Sequence, residues 1–186
     1  MKDKGRYHAQ MSPGTILIDS AAQADDLAAQ VRASATRLQA WCAAFGGDGV
    51  EFLRALKFDQ VGVHPLEDRA LNAIEQVNQS WTYLVALAAV RELLRWHPEA
   101  GGFRIAPGSH AAQLFDVMSV TKGQVAAETF AAVDPRNNDK LSRDLVKLVG
   151  RDLQHRYVFF ASPLYPGTVR RPQLERDGIQ VWSVDV

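Results

Sequence analysis

Two acids near the middle of the chain stand where they can do chemistry together. Asp116 lies in Phe115-Asp116-Val117, and Glu128 lies in Ala127-Glu128-Thr129-Phe130. Between them sits Thr121-Lys122-Gly123. A three-residue hairpin loop favours a type I turn followed by a left-handed residue, usually glycine, and Gly123 is placed for that role. Such a loop pairs Val120 with Gln124 and sets Asp116 directly opposite Glu128. Directly opposed residues share a face, with β-carbons about 5 Å apart. Two carboxylates held that close repel each other unless a cation or a proton intervenes. A divalent metal is the productive solution, because Mg²⁺ is held by one or two carboxylates plus water and phosphate oxygens. A metal so held activates water and stabilises charge on a phosphodiester. A two-residue loop would instead slip the register by one and put the acids on opposite faces. Either acid could also end in solvent at a strand terminus. Against that, Phe115, Val117, Val125, Ala127 and Phe130 surround the pair with apolar neighbours, where an unpaired carboxylate is costly.

The elements that must position this hairpin follow from periodicity. Before it, Pro65 suits the first turn of a long helix. The stripe Leu66, Ala70, Ile74, Val77, Trp81, Leu84 and Ala88 predicts that helix to run to His97-Pro98. Strand-like runs follow at Gly102–Ala106, Gln113–Val120 and Gln124–Ala132. A second amphipathic helix spans Asn137 to Asp152. Tyr157–Ala161 and Ile179–Val184 read as further strands. Upstream, Ile16-Leu17-Ile18 reads as a short strand and Ser20 to Gln23 as a capping box. Leu27, Val31, Leu38, Trp41 and Phe45 then recur at helical spacing until Gly46-Gly47 ends the helix, and a short helix covers Val50 to Lys57. The expected class is α/β: an αβββαβ core over residues 65–186, with residues 1–64 as a helical extension packed on it.

The hairpin, its flanking helices and the following strand resemble the core of the PD-(D/E)XK, or restriction-endonuclease-like, nucleases over about residues 65 to 162. The resemblance implies that Asp116 and Glu128 are catalytic and hold Mg²⁺ or Mn²⁺. It implies that Glu75, on the helix before the first strand, assists them, and that the substrate is DNA. Two positions depart from the pattern. Phe130 stands where the motif has its lysine, and Phe115 where it has a proline. Some members move the lysine to the following helix, which makes Lys140 the matching candidate. Others have lost catalysis and kept the fold. The alternative reading is therefore an inactive module on the same fold that binds nucleic acid or a protein.

Arg136, Lys140, Arg143, Lys147 and Arg151 recur in steps of three and four, so at about 100° per residue they fall on one stripe. Leu141, Leu145, Leu148 and Val149 take the opposite side. Arg136, Lys140, Arg143 and Lys147 are candidate phosphate contacts, although such a stripe is also what a solvated helix face looks like. Asp139, Asp144 and Asp152 dilute it.

Composition narrows the classes. Lys+Arg and Asp+Glu are 21 each in 186 residues, a formal net charge of zero. Polyanion binders carry a basic excess, so any nucleic-acid site must be local. The hydrophobic fraction of 47% and charged fraction of 23% are those of a globular chain. The single cysteine, Cys42, excludes an internal disulfide and reads as a buried structural thiol. The start has no apolar leader, and Tyr83 to Leu94 is well short of the roughly 20 residues a membrane span needs. A cytoplasmic protein with no membrane partner is expected, with a homo-oligomer or protein partner left open. The histidines His8, His64, His97, His110 and His155 show no zinc spacing. Gly108-Ser109-His110 lacks a nucleophile elbow and reads as a turn. Trp81, Trp96 and Trp182 read as core or interface, and Gln76, Asn78, Gln79 and Ser80 as a polar cluster near Glu75.

Overall fold

The computed structural model describes residues 11–12, 15–67, 69–106 and 113–186. His8, Gly108, Ser109 and His110 lie outside them.

The chain enters through β1 (Met11–Ser12) and β2 (Thr15–Ile18). The Ser20 side chain then accepts from the Gln23 N–H and starts α1 (Ala21–Ala44), while the Gln23 amide oxygen accepts from the Asp19 N–H. Asp48 and Glu51 form a reciprocal capping box for α2 (Gly49–Phe58). A two-stranded ribbon of β3 (Gly62–Val63) and β4 (Ala70–Leu71) leads to α3 (Ala73–Trp96). The next strands are β5 (Phe103–Ile105), β6 (Val117–Ser119) and β7 (Val125–Ala131). Then follow α4 (Lys140–Leu148), β8 (His155–Ala161), β9 (Val169–Arg170) and β10 (Gln180–Ser183). Among the described residues, eight strands form one mixed sheet in the order β1-β2-β5-β6-β7-β8-β10-β9. It is antiparallel from β1 to β7, and β8 then runs parallel to both β7 and β10. The class is α/β, and from α3 to β8 the element order is α-β-β-β-α-β.

Each face of the sheet carries its own core. On one, α1 and α3 bury Val31, Val90 and Leu93 against Ile18, Phe103, Ile105, Ala127 and Phe159. On the other, α4 buries Leu141, Leu145 and Leu148 against Ala126, Phe130, Val158, Phe160 and Val181. Strand alternation explains the split within β7: Val125 and Ala127 face α3, whereas Ala126 and Phe130 face α4. Glu128, in phase with Ala126 and Phe130, also faces α4. The region before residue 65 is tied to the same sheet, because β2 pairs with β5.

Several expected boundaries move. The long helix starts at Ala73, capped by the Asn72 side chain, so Pro65, Leu66 and Ala70 lie outside it. Its expected apolar stripe is also rotated. Ile74, Val77 and Trp81 are 42%, 45% and 45% exposed, while Gln76 and Ser80 are buried. Gln76 goes inside because its amide donates to the Ser34 carbonyl and hydroxyl, and its oxygen accepts from the Val63 N–H. Residues 113–116 are not strand, so β6 is shorter than expected. The second helix begins only at Lys140, because Asn138 and Asp139 are left-handed (φ 56° and 53°). It ends at Leu148, leaving Val149 exposed outside it. Cys42 is half-buried.

Candidate functional site

The β6–β7 register is the expected one. Val117 pairs with Ala127 and Met118 with Ala126, so one step further Asp116 stands level with Glu128. The loop differs in detail. The ladder stops at Met118, and the Ser119 hydroxyl then accepts from the Val125 N–H while donating to the Thr121 carbonyl. Gly123 takes φ +79°, as a left-handed residue of the turn.

Beyond Val117 the partner strand has ended but β7 runs on to Ala131. Among the described residues no strand pairs with β7 on the β6 side there, and the Asp116 carboxylate takes over that side. Its Oδ2 accepts from the Thr129 N–H at 2.9 Å and from the Thr129 hydroxyl at 3.1 Å. Burial raises the Asp116 carboxyl above its ordinary range, opposed by the Thr129 N–H bond, the Lys140 charge, the Thr129 hydroxyl and the Lys147 charge.

Glu128 is 1% exposed. Lys147 on α4 reaches down to it, Nζ to Oε2 at 2.6 Å. Oε1 has no hydrogen-bond partner among the described residues. Burial, and then the charge of Asp116, push the Glu128 carboxyl up to about 7 despite the lysine. Burial alone would lower Lys147, but the bond to Glu128 and the charges of Glu128, Asp144 and Asp116 leave it above the ordinary lysine value. Asp144, also 1% exposed, bonds Lys140 at 2.7 Å and stands 3.7 Å from Lys147. Its Oδ2 is without a partner among the described residues. Lys140 Nζ also lies over the Phe130 ring, 5.6 Å from the centroid.

Asp116, Lys140 and Lys147 border a cleft of about 530 Å³ where β7 runs on past the end of β6. Asn78, Trp81 and Thr82 come from α3, Lys140 and Lys147 from α4, and Asp116, Thr129, Phe130 and Ala131 from the strands between. The cleft thus gathers Asp116, Lys140 and Lys147, with Glu128 beneath Lys147. It does not gather Glu75, which is exposed in the first turn of α3 and is not among the lining residues. Asn78 and Thr82, one and two turns on, hold the helix side of the cleft.

The basic stripe does not survive as a single surface. Lys140 and Lys147 lean over the sheet edge to buried acids. Arg136 precedes α4, is exposed and forks onto Asp134. Arg143 is exposed and bonds the Asn138 carbonyl. Asp144, read from sequence as diluting the charge, is the anchor for the two lysines. The spacing of Lys140, Asp144 and Lys147, four and three residues apart on a helix, was the available signal.

Among the described residues no group of three or more His, Cys, Asp or Glu side chains converges as a metal site. Nor is any helix among them long and apolar enough to cross a membrane. No family model, curated protein or solved structure matches the chain.

Proposed function

We propose that the cleft beside β7, past the end of β6, is a metal-dependent phosphodiester-hydrolysis site on a restriction-endonuclease-like core, acting weakly on nucleic acid. The observation that carries this reading is Glu128: a buried carboxylate with one oxygen on Lys147 and the other without a partner among the described residues, level with a second carboxylate. The local charge supports it. Three carboxylates (Asp116, Glu128, Asp144), which do not converge as a three-ligand site, lie within electrostatic reach of one another and of two ammonium groups (Lys140, Lys147), an excess of one negative charge when all are ionised. A carboxylate-rich, partly unsatisfied site suits a hard cation. Asp116 and Glu128 would hold Mg²⁺ or Mn²⁺, which when bound supplies Lewis-acid stabilisation and an acidified water.

The side chains divide the remaining work. Thr129 fixes the Asp116 carboxylate through two bonds to one oxygen. Lys147 places an ammonium on Glu128, the job of the motif lysine that Phe130 displaces. That makes Lys147, rather than Lys140, the better replacement. Lys140, held by Asp144 over the Phe130 ring, offers a second cation to a phosphate oxygen. Lys147 is half-exposed and its stem is long, so its charge is less firmly placed than a motif lysine would be. Losing a positioned acid–base group costs roughly 10²–10⁴-fold in rate, hence the expectation of weak activity.

The test is cleavage of DNA and RNA with Mg²⁺ or Mn²⁺, alongside calorimetric Mn²⁺ binding. Wild type should cleave slowly and bind Mn²⁺. Glu128→Ala should lose both, and Lys147→Ala should lose cleavage while keeping metal. Cleavage unaffected by Glu128→Ala would place the active site elsewhere. A second reading, an inactive nucleic-acid or protein-binding module, is favoured by the Lys147–Glu128 ion pair itself, since the ammonium sits where a cation would approach. Its signature is no Mn²⁺ binding and no cleavage by wild type.

A further inference from the structure

Trp81 is 45% exposed, and among the described residues no other aromatic ring packs on it. The other three tryptophans each sit within aromatic clusters: Trp41 with Phe45 and Phe52, and Trp96 with Trp182, Tyr157 and Phe159. Trp81 instead lines the cleft from the α3 side, facing the same space as Lys140 and Lys147. Val77 and Ile74, 45% and 42% exposed, continue its stripe along α3 away from the cleft. A flat apolar ring beside two lysines and the acids that would hold a cation matches the two parts of a nucleotide, the base face and, once the metal offsets the carboxylates, the phosphate.

Resting on the phosphodiester reading above, we infer that Trp81 is a stacking platform for an unpaired base beside the phosphate held by the two lysines, so the substrate is single-stranded nucleic acid. Only an unpaired base can offer its face to a side chain at a cleft wall; in a duplex that face is covered by its neighbours. Size agrees. The cleft, about 530 Å³ and open to solvent, has room for one nucleotide. Charge agrees too. A chain of zero net charge lacks the broad basic footprint of duplex binding, whereas a stacked single strand needs fewer phosphate contacts.

The experiment is fluorescence anisotropy with labelled 12-residue oligonucleotides in Ca²⁺ in place of Mg²⁺, so that a hard cation still offsets the carboxylates while cleavage is suppressed. The probes are a DNA strand, the same strand as duplex, the same strand with an abasic centre, and an RNA strand. Wild type should prefer either single strand to the duplex. Trp81→Ala should weaken single-strand binding roughly 5- to 150-fold, the range one base–aromatic stack supplies, and leave duplex binding unchanged. Trp81→Phe should retain most of the affinity. The abasic strand should bind wild type about as weakly as the intact strand binds Trp81→Ala. The DNA and RNA arms show which backbone is preferred. Equal single-strand affinity of wild type and Trp81→Ala, or a duplex bound as tightly as the strand, overturns the inference. So does a wild-type dimer that Trp81→Ala dissociates, because the stripe is then a contact between copies. If Trp81→Ala has no effect while Glu128→Ala still abolishes cleavage, the stacking role falls and the hydrolytic site stands.

Discussion

Glu128 concentrates the electrostatics of the site. Its folded-state pKa is about 7 against an ordinary value of 4.5, so the folded protein holds a proton there that the unfolded chain releases. Whichever state binds more protons loses stability as pH rises. The Glu128 contribution is therefore intact below about pH 4.5 and is lost as pH rises through about 7. A shift of that size corresponds to roughly 3 kcal/mol. Glutamine mimics the protonated side chain, so Glu128→Gln should be about as stable as wild type at pH 5 and more stable by up to roughly 3 kcal/mol at pH 8. The difference between the two proteins is the useful quantity. His64 and His97, held below the ordinary histidine range by burial, titrate in the opposite sense in both and cancel. Urea denaturation at the two pH values measures it, and a pH-independent difference would mean Glu128 is not a strained acid. The acids themselves were legible in the sequence, because alternation and a glycine turn were enough to oppose them. Lys147 as the partner was not. Long lysine stems cross apolar surface before presenting their charge, so helix-wheel position alone does not say where an ammonium ends.

At the scale of elements, the hairpin is held in register by Gly123 and by Ser119 standing in for a missing ladder rung. Gly123 has φ +79°, and an added β-carbon there would meet nothing closer than the Asp152 carbonyl at 4.0 Å. Replacing it with alanine is thus a test of backbone conformation alone. Left-handed geometry costs an L-residue roughly 1–2 kcal/mol, and Gly123→Ala should destabilise by about that much. Chemical denaturation checks it. A change below about 0.3 kcal/mol, within the scatter of such comparisons, would show that the turn relaxes and that the register is set elsewhere. The helices were harder to read than the hairpin. The buried face of α3 departs from its apolar stripe because Gln76 is buried by Ser34 and Val63, partners 42 and 13 residues away. No local period records such bonds. The start of α4 lies three residues later than its periodicity implies because Asn138 and Asp139 leave the helical region, a choice that short polar residues tolerate and that periodicity does not register.

For the whole molecule, the residues before 65, expected as an extension packed on the core, share one apolar core with those after it. Leu27, Ala28 and Val31 of α1 share one core with Val85, Ala86, Val90 and Leu93 of α3, and the buried Gln76 amide is satisfied by Ser34. The strand β2 covers β5 along Ile16 to Ile18. Removing residues 1–64 would strip α3 of its apolar cover, leave the Gln76 amide without Ser34 and Val63, and turn β5 into an open edge. Each large core side chain uncovered forfeits roughly 1.5–3 kcal/mol, and whole domains are stable by only about 5–15 kcal/mol. An open apolar edge strand also templates association. A 65–186 fragment should therefore fail to fold as a monomer, showing dye-accessible apolar surface or aggregation. The intact chain should unfold in one transition, with far-UV circular dichroism and tryptophan fluorescence coinciding. A soluble 65–186 monomer with a cooperative melt would overturn this view and restore the first 64 residues to an accessory role. It would also show that α3, the helix carrying Asn78, Trp81 and Thr82 to the cleft, is held by the sheet alone.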